Sequence, residues 1–269
     1  MKRIFTKPAG WFLLLAIFQA GCTKDDTSIN LFSVADDIQL GQQVDQEIRS
    51  NPLEYPILDS ATHAASYAHL YRIRNTIMAS ATQMIYKEQF PWRCAILQND
   101  TVINAFCVPG GNMYFYTGLI KLLDNESQFA GVMAHEMVHA DRRHTTDQLT
   151  IAFGLDLLIQ LILGNSPSQL AQVVAALAGN LTILAYSRNN EYEADQYAVR
   201  FLYPSEYDAA SLGDFFEKIQ NQPQPPAFLS THPSPEDRLE RIEQEFLALG
   251  GVHGQLFEAR YQDFINTLP

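Results

Sequence analysis

The sequence predicts a mainly α-helical protein with a small β-sheet, an α+β fold. Three observations carry that reading. Apolar residues recur at helical spacing through most of the chain. Three short apolar runs, Trp92 to Gln98, Val102 to Val108 and Met113 to Tyr116, sit between turn residues and read as strands. One helical segment contains His135-Glu136-Met137-Val138-His139, so that two imidazoles share a face one turn apart, with a carboxylate beside the first.

Taken in order, Ser33 caps a helix that runs to about Ser50, with Asp36 and Asp37 in its first turn. Pro52 and Pro56 break the pattern, and a second helix spans about 62–84. His63 and His69 lie there and read as surface or packing residues. The first two strands are expected to form a hairpin around Asn99-Asp100. Pro109-Gly110-Gly111-Asn112 makes a turn into the third strand, Met113 to Tyr116, expected at the sheet edge. A short helix follows over 119–123, and Asn125-Glu126 opens the helix with both histidines, read as continuous to about Thr150. Ile151 to Leu163 and Leu170 to Tyr186 are apolar, but Asp156, Gln160, Gln172 and Asn180 interrupt them. Neither offers the roughly 20 clean apolar residues of a membrane span, so buried or groove-lining helices are expected. Further helices begin near Arg188, Gly213 and Ser234 or Pro235, the last ending at Gly250-Gly251, with a tail from 252 to 269.

Composition narrows the function. Thirty acids against 18 bases give a net charge of −12. Removal of residues 1–21 takes Lys2, Arg3 and Lys7 and leaves 15 bases against 30 acids, or −15. Such a chain is a poor partner for nucleic acid or an anionic membrane surface. The N-terminus reads as an address: a basic start, a short apolar run from Trp11 to Ala20, then Ala20-Gly21-Cys22, which resembles a bacterial lipoprotein cleavage site apart from Gln19. Cys22 is then the lipid-bearing residue, followed by a tether to Leu31, and the chain is expected on the outer membrane, at its periplasmic face or the cell surface. With Cys22 acylated, Cys94 and Cys107 remain, either as a cross-strand disulfide or, as the simpler expectation, as two buried thiols.

The two histidines are nitrogen ligands of the kind zinc takes, and Glu136 lies where a water would be activated. Position 145 is Thr, so the longer motif with a third histidine there does not apply. A third ligand must come from elsewhere. Glu191 and Asp195, four apart, share a helix face; Glu193 points roughly the opposite way. One of the pair can bind metal while the other holds an imidazole N–H.

Four features in order then match a known pattern: Asn104-Ala105-Phe106 leading to Pro109-Gly110-Gly111; the HExxH motif followed by Arg143-His144; Glu191-xxx-Asp195; and Thr231-His232-Pro233-Ser234-Pro235 leading to Arg238. With them the chain, from about Leu31 to Phe246, resembles the HExxH zinc metalloendopeptidases (gluzincins) that include the CAAX prenyl endopeptidases, HtpX and the periplasmic BepA- and LoiP-type proteases. It is most similar to the soluble, BepA-like branch, without tetratricopeptide helices. The resemblance implies a zinc peptidase domain over 32–249, one Zn²⁺ held by His135, His139 and Glu191, and Asp195 supporting a ligand. Glu136 is then the general base. His232 has three readings: a donor to the developing oxyanion, a fourth ligand that blocks the water, or a residue that positions its loop. Gly110, Gly111, Asn112, Met113, Tyr114 and Phe115 are expected to bind an extended polypeptide by strand addition, favouring unfolded or misassembled envelope proteins. The rival expectation is a chaperone-like assembly factor with little or latent proteolysis.

Overall fold

The computed structural model describes residues 31–178, 184–233 and 237–269. The expected leader, Cys22 and the expected tether to residue 30 lie outside these, as do Ser234 and Pro235. Helix α1, Val34–Ser50, starts at the expected cap: the Ser33 hydroxyl accepts the Asp36 N–H, and the Asp36 carboxylate accepts the Ser33 N–H at 2.8 Å. Its apolar stripe buries Leu40, Val44 and Ile48. Helix α2 is Ala64–Ser80, in which His69 is half-buried and stacks on Phe264.

The three strands are β1, Cys94–Leu97, β2, Ala105–Val108, and β3, Asn112–Tyr116. Their order is β1-β3-β2, with β3 parallel to β1 and antiparallel to β2. This corrects two expectations. β1 and β2 form no hairpin, because β3 lies between them, and Met113 to Tyr116 is the central strand. With both sides of β3 already paired, no polypeptide can add to it. Cys94 and Cys107 both face Met113 from opposite flanks, two strand spacings apart, and are free, buried thiols.

Both faces of the sheet are covered, so its strands are buried at every position. Ile96, Ala105, Cys107, Met113 and Phe115 join the core beneath the HExxH helix. Leu97, Phe106, Val108, Tyr114 and Tyr116 join a second core with α1 and the helices that follow the motif. The outer edge of β1 is capped: the Leu58 N–H donates to Ile96 O at 2.9 Å, and the Gln98 N–H to Pro56 O at 2.8 Å. The remaining edge, β2, runs beside the motif helix.

Of the residues assigned to substrate, Gly110, Asn112 and Tyr114 meet α1 instead, and Gly111 packs against Phe90 and Trp92. Gly110 has φ +78°, and a Cβ there would lie 2.8 Å from Ile38 Cα; a Cβ on Gly41 would meet Pro109 O at 1.9 Å. The Asn112 amide donates to Gly41 O, and the Tyr114 hydroxyl to Asp45. Met113 and Phe115 point into the core.

Helix α3 is Thr117–Leu122 and α4, with the motif, is Glu126–Asp141. The latter ends about nine residues before the expected point, because Arg143 turns left-handed (φ +60°). That turn brings its guanidinium to Asp37 and to the carbonyls of Phe32 and Ser33. Helices α5, His144–Phe153, α6, Leu155–Ile162, and α7, Pro167–Ala178, follow, with Gly154 at φ +85° between the first two. Leu158, Leu161 and Ile162 are buried as expected, whereas Ile151, Leu155, Ile159 and Leu163, spaced by four, remain exposed. No helix among the described residues is long and apolar enough to cross a membrane. Helices α8, Arg188–Leu202, α9, Ser211–Gln220, α10, Phe228–Thr231, and α11, Arg238–Ala248, complete the bundle around α4. The expected tail holds α12, Glu258–Asn266, whose Tyr261 and Phe264 are fully buried in the main core.

Candidate metal centre

Helix α4 is buried along its whole length, so His135, Glu136 and His139 all sit inside the protein. Facing them is α8, which starts at a second capping box: the Ser187 hydroxyl accepts the Asn190 N–H, and the Asn190 side chain accepts the Ser187 N–H. That cap fixes the first turn of α8 and points Glu191 at the two histidines. His135 Nε2 and His139 Nε2 are 3.0 Å apart. The Glu191 carboxylate lies 3.6 Å from the first and 3.4 Å from the second. His232, in the turn after α10, brings Nδ1 to 3.1 Å from Glu191 and 3.3 Å from His135 Nε2. One ligand atom from each of the four lies within 4.8 Å of the others.

The protonation states suit a cation. Burial holds both His135 and His139 well below the usual imidazole range, so their nitrogens are free to ligate. Burial pushes Glu191 up, but Arg238, His232 and His139 together outweigh it and hold the carboxyl well below its ordinary value. Two neutral imidazoles and one carboxylate are a zinc donor set. Glu136 supports the same assignment: its carboxylate is fully buried, with Cys107 and the His232 ring as its polar neighbours. His232 Nε2 is near at 3.3 Å, and burial pushes the Glu136 carboxyl up to about 7 even though His232 draws it down. These residues fit Zn²⁺, held by His135, His139 and Glu191.

Asp195 occupies the expected supporting position, accepting from His135 Nδ1 at 3.0 Å. Burial raises it to about 6, opposed by Arg238. Arg238, fully buried on α11, donates to Asp195 at 2.5 and 2.8 Å, lies 2.7 Å from Glu191, and covers the face of the Phe216 ring. Its side chain closes the charge balance of the two carboxylates. His232 is fixed by Phe228, which stacks on it at 4.2 Å, and burial lowers it less than Glu136 and Glu191 raise it.

Three participants were missed from sequence. Tyr186 stacks on His139 at 3.9 Å, and its hydroxyl lies 2.9 Å from Thr145 Oγ1, itself 3.1 Å from Cys107 Sγ. His144 and Glu193 form a pair behind His139. Position 193 reads as an opposite face only if the partner is assumed to lie beside Glu191. The tight turn at Arg143, which sequence does not announce, carries His144 round to meet it. A crevice of only about 10 Å³ remains among Phe106, Cys107, Leu177, Leu184, Tyr186, Thr231 and His232, beside β2.

The sequence matches the model of peptidase family M48 over residues 68–246. It is 35% identical to the Beta-barrel assembly-enhancing protease of Escherichia coli (strain K12) over 163 residues, 55% of this chain and 33% of that protein. Its identity to the protein of the same name from Yersinia pestis is 30% over 184 residues, 64% of this chain and 37% of that one. The Mitochondrial metalloendopeptidase OMA1 of Arabidopsis thaliana is 29% identical over 159 residues, 58% of this chain and 32% of the relative. The matched region thus spans about a third of the length of these relatives. Because the family match covers most of the chain, and takes in the helix with both histidines, the carboxylate that faces them and the arginine behind it, the chain belongs to peptidase family M48.

Proposed function

We propose that this protein is a zinc-dependent endopeptidase of the bacterial envelope that cleaves unfolded or misassembled proteins, and that the arrangement described is its closed, latent form. The observation that carries the reading is the convergence of His135, His139 and Glu191 with Glu136 beside them, all fully buried. Zinc, when bound, polarises the scissile carbonyl and acidifies water, which is several kcal/mol of charge stabilisation. The chain supplies the rest. Glu136, with a carboxyl near neutrality, takes a proton from the attacking water and returns it to the leaving amine. Asp195 and Arg238 hold the ring of His135 in register. The outer edge of β2, in place of the strand expected from sequence, is where an extended polypeptide would pair once the closed form opens, and pairing through backbone reads little sequence. The relatives' name, Beta-barrel assembly-enhancing protease, supports an envelope substrate. The leader and Cys22 support a lipid anchor on the outer membrane.

His232 acts in this form as the fourth ligand rather than the oxyanion donor. Its Nδ1 stands among the donors, and a zinc site with four protein ligands is closed to substrate. His232→Ala should raise peptide hydrolysis about tenfold, the gain when a competent fraction of about a tenth becomes the whole population. A loss of about 10²-fold would make His232 an oxyanion donor, and an unchanged rate leaves it only a place in its loop. The burial of the centre equally favours a chaperone-like role with rare cleavage. That reading leads if Glu136→Gln relieves envelope stress in cells as well as wild type does.

A further inference from the structure

We propose that His144 is a positioning residue for the zinc ligand His139, and that it works as the middle member of a relay ending at Glu193. The proposal rests on the metallopeptidase reading above and assigns a role to two residues that reading leaves idle. His139 presents Nε2 to the other donors, 3.0 Å from His135 Nε2 and 3.4 Å from Glu191. Its other ring nitrogen, Nδ1, lies 3.1 Å from His144 Nδ1. The far nitrogen of His144, Nε2, lies 3.1 Å from Glu193 Oε2.

This geometry admits one arrangement of protons. A metal on His139 Nε2 needs a lone pair there, so the ring proton sits on Nδ1 and must be accepted. Among the described residues, His144 Nδ1 lies at hydrogen-bond distance to accept it. The His144 proton is therefore on Nε2, where the Glu193 carboxylate accepts it. Both tautomers are set by an acid two residues from the third ligand. Arg142 is the cation nearest to Glu193, its Nε 3.5 Å away and its guanidinium over Tyr197 at 4.0 Å.

The two ligating imidazoles are thus braced in parallel. His135 is held directly by Asp195 with Arg238 behind it; His139 is held through His144 by Glu193 with Arg142 behind it. One stretch of α8 supplies ligand and both braces, at 191, 193 and 195. The left-handed turn at Arg143 matters here, because it starts α5 at His144 and places that ring beside α4 instead of continuing away from it.

The test measures zinc affinity of the full chain by competition with a chelating dye, together with the thermal melt of the metal-free protein. His144→Ala should bind zinc roughly 10- to 100-fold more weakly, the usual cost of losing a partner of a ligating histidine, with the metal-free melt unchanged. His144→Gln should recover most of that affinity, since its amide can accept from His139 and donate to Glu193. In ¹⁵N-histidine protein loaded with zinc, the His139 Nδ1 proton should be slow to exchange in wild type and in His144→Gln, and fast in His144→Ala. Zinc affinity within about threefold of wild type in His144→Ala overturns the proposal. So does a His144→Gln variant as weak as His144→Ala with an equally lowered metal-free melt, which would mark a packing role. Wild-type protein that takes up no zinc overturns this proposal and the metallopeptidase reading together.

Discussion

Glu136→Gln should abolish peptide hydrolysis, by about 10²- to 10⁴-fold, while zinc still binds. Glutamine matches the glutamate in size, so the packing of α4 against β2 and α8 is kept. It cannot take a proton from water or hand one to the leaving amine. The environment argues for a large effect. Both oxygens of Glu136 are buried, and burial pushes the carboxyl to about 7. Neither neighbouring carboxylate is free to replace it: Glu191 is the proposed ligand and Asp195 is held by Arg238 and His135. The measurement is casein turnover with and without a chelator, beside zinc content per chain. A variant that keeps more than a tenth of the wild-type rate would remove Glu136 from its role as base. Burial of Glu136 also disfavours its ionised form in the folded state, so in metal-free protein this group costs stability progressively as pH rises from its ordinary 4.5 to about 7, and the cost is constant above that.

Arg238→Met should be the most destabilising substitution in the centre, by about 3–5 kcal/mol. Methionine fills most of the volume over Phe216 but leaves Glu191 and Asp195 buried without the cation that balances them. Removal of one partner from a buried ionic group exposes the full desolvation cost of the other, unlike the surface pair Arg241–Asp237, where both side chains are about half exposed. For a chain of this size the melting temperature should fall by on the order of 10 °C. Arg241→Met should shift it by less than about 2 °C. Scanning calorimetry of metal-free protein reads both. Addition of Asp195→Asn to Arg238→Met should recover part of the loss, because one of the two stranded charges is removed. Equal melting of Arg238→Met and wild type would show that the carboxylates are neutralised some other way.

Much of this centre was legible in the sequence because it is local. HExxH fixes the spacing of its two histidines by helix geometry alone, and Glu191 and Asp195 share a face for the same reason. Capping did equal service at Ser33, where side chain and sequence neighbour agree. The strand order was not legible. Apolar runs between turn residues identify strands but not neighbours, and β3 enters between β1 and β2 through pairings that no short segment encodes. The end of α4 was hidden as well, because arginine has no preference for positive φ; its contacts with α1 impose that conformation. For the same reason the pairing of His144 with Glu193 gave no signal: their meeting depends on that turn.

The clasp between Arg143 and the entry of α1, and the burial of α12 under Phe129, set where this protein can be cut. The matched family span begins after α1 and stops before α12. A fragment trimmed to that span would strip Ile38 and Gly41 from the Pro109-Gly110 turn, take away the aspartate that Arg143 reaches, and open Phe129 to water where Tyr261 and Phe264 now lie. For anyone preparing crystals or assays, the smallest honest unit is therefore longer than the family signature at both ends.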